Sequence, residues 1–459
     1  MGSEMCIRDR RSLKTDKAEG SDGIKPIFLK FGATQLSKPL TFIFNKCIEK
    51  RLFPKFWKRA DIHPIPKTAP PHCDELRPIS LLPVVSKVFE RILLRDMKSR
   101  LTETCGSKQF AYRTFGSTTS ALIAIHDTVT KMLDEGDSSA VRLTQFDLSK
   151  AFDRLSHCLL IEHLHKCGLP NGFIKWCRSY LQDRLQCIKI NNQRYRWRDV
   201  VSGVPQGSVF GPYLFASFMG SLNIEDNSNQ ALIMYADDMT LLEKIKKNSS
   251  ESNENVNKII EWIEENGLKE NKEKRKQLFF RIKSAVPSSP NTHEATSLKI
   301  LGVVWENNLK WNRHVGEMLL KASRRMHAIR ILLPHLGRNK TILVYHSIVT
   351  SVLSYASPLF VGMSTSAKSK IVKMQKRHHK AICGKQCQCD RFPNINDIFQ
   401  ANAKKLFLQA SMEQSHLLHS RIPPLSSSGR YRQPPANTTR RLNSFIVFTC
   451  NSINENFRR

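Results

Sequence analysis

Apolar and polar positions along the chain alternate between a helical period and a strand period. Residues 32–50 repeat their apolar positions at helical spacing and predict an amphipathic helix. ADIHPIP (60–66) reads as a short strand and residues 76–82 as a second, with a Pro/His-rich tip between them, which is the pattern of a hairpin. Residues 83–104 return to the helical period, with Val85, Val88, Phe89, Ile92 and Leu93 on one stripe. A further helix follows Thr118 and Thr119 and runs to about Leu133. VRLTQFDL is strand text ending at Asp147, and residues 156–167 are helical, with Leu159, Leu160 and Leu164 inward and Gly168 as the stop. LQCIKI and RYRWRDVV flank Asn191 and Asn192 as a second hairpin. ALIMYADDMTLL is an apolar run bent at its middle by two carboxylates. A helix from about Glu251 stops at Asn266 and Gly267, a strand QLFFRI follows, and SAVPSSPNTHEAT is a polar loop. Beyond Trp311 the text is helical and basic, and residues 421–440 are Pro/Ser/Arg-rich and read as a surface loop. There is no internal repeat.

Charge changes this picture more than composition does. The 459 residues carry 72 Lys and Arg against 40 Asp and Glu, a formal excess of +32 that would repel itself unless a polyanion lay against it. Nucleic acid is the leading partner and an anionic membrane surface stands well behind it. No membrane is crossed by the helical text, since no apolar run approaches the roughly 20 residues a spanning helix needs. The 12 cysteines are mostly dispersed, which fits reduced thiols in an intracellular protein better than a disulfide framework. One cluster, HHKAICGKQCQC, holds His378, His379, Cys383, Cys387 and Cys389. Its C-x3-C-x-C spacing is not a common zinc pattern, and it reads as a basic helix end with incidental thiols. The opening MGSEMCIRDR has neither amphipathic nor signal character and looks like translated adapter sequence, so residues 1–10 are set apart from the fold.

Two carboxylate sites interrupt strand text: Asp147 in QFDLSKAFD, and the pair Asp237 and Asp238 in MYADDM. The pair alone has two readings. It is a solvated turn, where Asp is favoured anyway, or an acidic site whose desolvation demands a counter-charge. A metal fits that demand better than Lys, because Mg²⁺ takes oxygen ligands from one or two carboxylates plus phosphate oxygens. Context favours the metal. SGVPQGSVFGPYLF, with Gly203, Gly207 and Gly211, lies between FDLSKAFD and YADD, and its small residues let backbone approach a nucleotide closely.

At this point the chain resembles the reverse transcriptases of non-long-terminal-repeat retrotransposons, of the jockey-like and chicken-repeat-like kind. The resemblance runs from about Gly20 to the C-terminus through GSDGI, FPKFWKRADIHPIPK, LRPISLLPVVSKVFER, KQFAYRTFGSTTSALI, FDLSKAFD, SGVPQGSVFGPYLF and YADD. It continues through NGLKENKEK, LKILGVVWENNLKW and RRLNSFI. It implies an α+β right-hand polymerase fold, with fingers, an antiparallel palm sheet carrying the catalytic aspartates, and a helical thumb. The expected divisions are fingers with an N-terminal extension (11–140), palm through primer grip (141–311), thumb and connection (312–420) and a basic tail (421–459). Asp147, Asp237 and Asp238 match the catalytic carboxylates that hold two Mg²⁺ ions (Mn²⁺ the alternative), and the Leu148 carbonyl would add a metal ligand. Phe152 matches the aromatic gate that excludes a 2′-hydroxyl, and Gln206 and Gly207 match the loop lining nucleotide and template. Lys67 and Arg77 resemble residues that clasp the triphosphate, with Lys67 equally readable as a solvated side chain. Lys274 matches a lysine proposed to protonate pyrophosphate. Tyr235, Ala236, Leu301, Gly302 and Trp311 resemble primer and template contacts. The thumb arginines Arg324, Arg325 and Arg330 and the Arg-rich tail would track a template–primer duplex.

The function so implied is RNA-directed DNA synthesis from a 3′-hydroxyl primer. Its partners are an RNA template, a DNA primer or target, deoxynucleoside triphosphates and an endonuclease encoded upstream. The expected location is intracellular, in the nucleus for work on chromosomal DNA or in a cytoplasmic ribonucleoprotein. Some positions depart from the family pattern: Ala111-Tyr112 for Gly-Phe, Phe210 for Leu, Lys274-Arg275 for Lys-Thr, and Glu306 for Asp. They keep open the alternative of a decayed or co-opted element protein that binds RNA or DNA without polymerising.

Overall fold

The β-branched and aromatic runs of the sequence become strands. In a computed structural model describing residues 3–66, 76–191, 193–247, 252–282, 294–384 and 392–456, these are β1 (Arg59–Pro66), β2 (Leu76–Leu81), β3 (Ser138–Phe146), β4 (Arg184–Ile190), β5 (Gln193–Arg194), β6 (Arg198–Val200), β7 (Gln230–Tyr235), β8 (Asp238–Lys246), β9 (Lys276–Arg281), β10 (Ser297–Ile300) and β11 (Val303–Glu306). They fall in two compact units, each discontinuous in sequence. The first is Met1–Tyr112, Leu148–Asn223 and Asn257–Asn271; the second is Arg113–Asp147, Ile224–Val256 and Lys272–Arg459. The chain passes from one unit to the other after Tyr112, Asp147, Asn223, Val256 and Asn271.

The first unit is built on a sheet in the order β2-β1-β4-β5, with β6 also on β4. β1 and β2 form the expected antiparallel hairpin, but β1 also pairs in parallel with β4 from Arg59↔Leu185 to Ile62↔Ile188. That second pairing ends just before Pro64, which has no N–H to give a ladder. Rings from distant segments make the core: Phe44, Phe53, Phe89, Trp176 and Tyr180 lie in chains of contacts with centroids 5.0–6.2 Å apart. The helix Val84–Thr104 buries Val85, Val88, Phe89 and Ile92 as read, with Leu94 rather than Leu93 completing the stripe. In the helix His157–Lys166 the inward residues are Leu160, Ile161 and Leu164, so Ile161 takes the place expected for Leu159. The helix expected over 32–50 starts later, at Ser37, after a separate short helix Pro26–Phe31. Residues set apart at the start form the helix Ser3–Arg11. Arg10 is fully buried there, donating to the Ala33 and Leu36 carbonyls, and Asp9 accepts from Arg95 at 2.8 Å.

The second unit carries a four-stranded antiparallel sheet, β7-β8-β3-β9. The helix Thr118–Asp134, N-capped by Ser117 through its Oγ to Ser120 N–H at 3.0 Å, packs behind it and buries nearly every residue from Ser120 to Leu133. β10 and β11 form a separate hairpin. The basic helical text beyond Trp311 opens with the helix Asn312–Tyr345, kinked at Gly337 (φ 70°) three residues after Pro334. Helices Thr365–Cys383, Ile395–Met412 and Phe445–Asn456 complete the unit. Among the described residues no helix is long and apolar enough to cross a membrane.

Candidate active site

In the second unit, β7 and β8 are joined by Ala236 and Asp237, with Tyr235 paired to Asp238 across the turn. Ala236 has φ 56°, a conformation that costs a residue with a Cβ about 1–2 kcal/mol and is held here by the paired strands on both sides. β3 pairs with β8 so that Phe146 stands opposite Met239; one further step of the same register sets Asp147 opposite Asp238. Directly opposed residues share a face of the sheet, so strand pairing brings together acids ninety positions apart in sequence.

The electrostatics report that proximity. Burial, and then the charges of Asp237 and Asp147, push the Asp238 carboxyl up to about 6. Lys274 Nζ lies 3.6 Å from Asp147 Oδ2. Both partners are substantially exposed, so the pair contributes little. Among the described residues no group of three His, Cys, Asp or Glu side chains is gathered as a ready-made metal cage. The donor set still fits Mg²⁺, which takes a few hard carboxylate oxygens and completes its shell with waters and substrate phosphates. The register that sets Asp147 opposite Asp238, with Asp237 beside it in the turn, is the observation that marks a place for a cation. Beside it, Asp147 and Lys274 line a cavity of about 360 Å³ together with Lys276, Lys299 and Arg313.

Leu301 (φ 45°) and Gly302 (φ 83°) are the turn between β10 and β11. The Tyr355 hydroxyl donates to the Leu301 carbonyl at 2.6 Å and lies 3.1 Å from Thr118 Oγ1, which ties this turn to the helix behind the sheet. Trp311, expected as a primer contact, is buried instead. Its ring centroid is 5.3 Å from Trp305, 5.2 Å from Phe360 and 5.5 Å from His126, so it is core. Tyr235 is half-buried and Ala236 buried. His378, from the His/Cys cluster, is likewise a core residue against the Tyr345 hydroxyl at 3.4 Å. Cys383 is buried, and Cys387 and Cys389 lie outside the described residues.

The remaining site residues belong to the first unit. Leu148 is buried and bridged to Glu270. Phe152 is half-buried, its ring stacked on Phe215 at 4.1 Å and 18°, which fixes the plane of an otherwise rotatable side chain. The 202–207 loop is pressed against this segment and against β2. Val204 N–H donates to the Phe152 carbonyl at 2.8 Å, and Ser80 N–H donates to the Gln206 carbonyl at 2.8 Å. A Cβ on Gly207 (φ 132°) would lie 2.6 Å from the Ser80 oxygen, and one on Gly203 (φ 83°) 2.6 Å from the Phe152 oxygen, so both positions exclude a side chain. The Gln206 amide donates to Asp153 Oδ1 at 3.0 Å. Arg77 is exposed on β2, opposite Ile65. Lys67 lies outside the described residues.

Two residues without a role in the sequence reading hold this loop. Asp153 closes FDLSKAFD and anchors Gln206. Glu90, fully buried, accepts from the Val209 and Phe210 amides at 2.7 and 3.0 Å. Burial pushes the Glu90 carboxyl up, partly offset by those two amides. An acid one turn after Ser86, on the buried face of its helix, is the signal that marks it. The loop and β4 also line a cavity of about 740 Å³ whose walls include Arg184, Arg196, Arg198, Asp153 and Gln206.

A family model described as reverse transcriptase (RNA-dependent DNA polymerase) matches residues 65–305, more than half of the chain. The chain is 28% identical over 405 residues to the probable RNA-directed DNA polymerase from transposon BS of Drosophila melanogaster, covering 83% of this chain and 44% of that protein. It is 27% identical over 398 residues to the RNA-directed DNA polymerase from mobile element jockey of the same species, covering 81% and 43%. Against the probable RNA-directed DNA polymerase from transposon X-element it is 26% identical over 463 residues, covering 96% and 50%. The chain therefore spans half or less of the length of these relatives. Among solved structures, telomerase from Candida tropicalis in complex with a fragment of telomeric RNA matches at TM-score 0.44 and 11% identity, over 83% of this chain and 67% of that one. With the family match running through the acidic hairpin and the glycine loop, the chain belongs to the reverse transcriptase (RNA-dependent DNA polymerase) family, among the enzymes of non-long-terminal-repeat retrotransposons.

Proposed function

We propose that this chain copies RNA into DNA from a 3′-hydroxyl primer, with the β7–β8 hairpin and the end of β3 as its catalytic centre. The observation that carries this reading is the Asp147–Asp237–Asp238 cluster, gathered by the β3–β8 register and the β7–β8 turn, where burial and then the two neighbouring acids raise the Asp238 carboxyl. Asp147, Asp237 and Asp238 would hold the Mg²⁺ ions (Mn²⁺ the alternative), which when bound activate an attacking hydroxyl and neutralise phosphate charge. The rest of the task is positioning. Phe152, its ring fixed by Phe215, is the steric stop against a 2′-hydroxyl. Gln206, oriented by Asp153, and the bare backbone at Gly207 serve the incoming nucleotide and template base. Arg77 offers an exposed fork suited to phosphate oxygens, and Lys274, near Asp147, is the proton donor to departing pyrophosphate. In this reading the β7-β8-β3-β9 sheet is the palm, the β1–β2 hairpin the fingers and the helices beyond Asn312 the thumb.

Two of the substitutions that favoured a decayed copy, Phe210 and Ala111, are accommodated in the core. Phe210 is fully buried against Phe173, Trp176 and Tyr180, and Ala111 is buried. The test is extension of a labelled DNA primer annealed to RNA by the purified chain with deoxynucleotides and Mg²⁺. Stepwise extension that needs the primer 3′-hydroxyl is expected. Tight, salt-sensitive RNA binding with no incorporation in Mg²⁺ or Mn²⁺ would establish the non-polymerising alternative.

A further inference from the structure

The first unit carries a second basic groove, built from residues to which the polymerase reading assigns no part. It has a volume of about 910 Å³ and lies between the helix Ser37–Glu49, the turn that follows it and the helix Asn171–Leu181. Its rim is cationic. The lining contains Lys46, Lys50, Arg51, Lys55, Lys58, Lys175 and Arg178 against Glu49 and Asp183, seven cations to two carboxylates, and Glu49 is already paired with Lys46 at 2.8 Å.

The groove is also apolar where a solvated face would not be. Phe42 is 65% and Leu52 53% exposed within it, although the same helix buries Phe44 in the aromatic core. The facing helix sorts its residues in the same way: Phe173, Ile174, Trp176 and Cys177 go inward, and Lys175 and Arg178 stand one turn apart on the outer face. Arg51 has φ 56°, a left-handed backbone that fixes where its side chain leaves the chain.

Cations spaced along a groove with an exposed ring on its wall suit one chemistry: unpaired bases, which stack on the ring while phosphates run along the charges. A duplex would leave Phe42 without a base face, and an acidic peptide would leave the ring without a planar partner. We propose that this groove binds single-stranded RNA, as a site additional to the one that copies it, so that the chain grips template it is not at that moment reading. The proposal goes beyond the polymerase reading and does not need it, since binding here is measured without catalysis.

The experiment uses the full chain, a fluorescein-labelled 20-nucleotide single-stranded RNA without primer, and anisotropy titrations over a range of KCl. An unlabelled template–primer duplex at saturating concentration occupies the polymerase site throughout. Lys50→Ala/Arg51→Ala/Lys55→Ala should weaken binding at least tenfold and flatten the log–log salt slope by about 2, the value for three lost phosphate contacts on a single strand. Phe42→Ala should weaken binding about tenfold with the slope unchanged, as loss of one stacking ring does. All four side chains are exposed, and equal thermal melting of the variants checks that folding is intact. With 4-thiouridine in the RNA, photo-cross-links should fall on peptides holding residues 42–55 and 175–178. Wild-type affinity and slope in the triple variant overturn the proposal. So does loss of binding to phosphatidylserine vesicles with RNA binding retained, which would make the groove a membrane surface. Because primer extension plays no part in the readout, an inactive polymerase leaves the test standing.

Discussion

At the scale of single residues, the acids were legible because they violate the pattern around them. Asp147, Asp237 and Asp238 end or interrupt apolar strand text, and all three are half-buried in the structure. Trp311 was not legible in that way. A lone aromatic after a strand has no local mark of whether its ring meets solvent or core, and here Trp305, Phe360 and His126 claim it. Glu90 shows the opposite case, a charged residue on a buried stripe whose partners, the Val209 and Phe210 amides, lie more than a hundred positions away. At this scale Gly207→Ala should destabilise the chain by about 2 kcal/mol or more, since its φ of 132° and the Ser80 oxygen 2.6 Å from the new Cβ both oppose it. A lowered urea midpoint checks this, and an unchanged midpoint would show that the loop stands off β2. Phe152→Ala should keep DNA synthesis but admit ribonucleotides, read as the ratio of kcat/KM for the two sugars; an unchanged ratio removes Phe152 as the gate.

At the scale of elements, hairpins and helices followed the periodicity, while pairings between distant segments did not. Nothing local announces the parallel match of β1 with β4, because partner choice rests on the whole sheet. The Arg-rich C-terminal text is the clearest revision. It was expected to track nucleic acid, yet Arg441 Nη1 donates to Asp127 Oδ1 at 2.5 Å and Arg421 to Asp127 Oδ2 at 3.0 Å. Asp134 accepts from the Asn437 and Thr438 amides at 2.9 and 2.7 Å. The segment is a strap on the helix Thr118–Asp134, within the second unit. Burial alone would raise the Asp127 carboxyl, but Arg441 and Arg421 outweigh it and hold it below its ordinary 3.8. Its stabilising share is therefore present above that pH and lost only as acid takes the solution through the lower value. Asp127→Ala leaves two arginines without their acid and should cost about 3–5 kcal/mol at pH 7, visible as a large drop in melting temperature; a drop below 1 kcal/mol would show the strap to be dispensable.

Buried histidines, among them His126 on Thr118–Asp134 and His314 on Asn312–Tyr345, set the acid limit instead. Burial lowers His126 and His314 to about 4, so the unfolded chain takes up protons below about 6.5 that the folded chain refuses until near 4. Stability should be flat above pH 7 and fall between 6.5 and 4, by on the order of 1 kcal/mol per pH unit for each ring. His314→Gln, which keeps an acceptor for the Val304 amide that His314 Nδ1 receives at 3.3 Å, should remove one ring's share of that slope. Urea midpoints at pH 7 and 5 measure it, and an unaltered slope in the variant would place the acid sensitivity elsewhere.

At the scale of the molecule, the +32 excess was a general argument for a polyanion, and the structure sorts it. Part is spent internally, in Arg10, Arg142, Arg421 and Arg441. Arg142 is buried across the sheet from Glu243 at 2.7 Å. Part lies in the open: Arg77 on β2, Lys276, Lys299 and Arg313 beside Asp147, and six of the seven cations of the groove near Phe42, Lys58 being buried. Against that field the three aspartates are a local acidic minimum, and the account stands or falls on what they do. Single-deoxynucleotide incorporation on an RNA template with an annealed DNA primer is the direct measurement, comparing wild type with Asp147→Asn and Asp237→Asn at equal RNA occupancy. The account predicts incorporation by wild type and none above background in either variant, with RNA affinity unchanged. Incorporation that survives Asp237→Asn would contradict it, because the chemistry would then belong to another site.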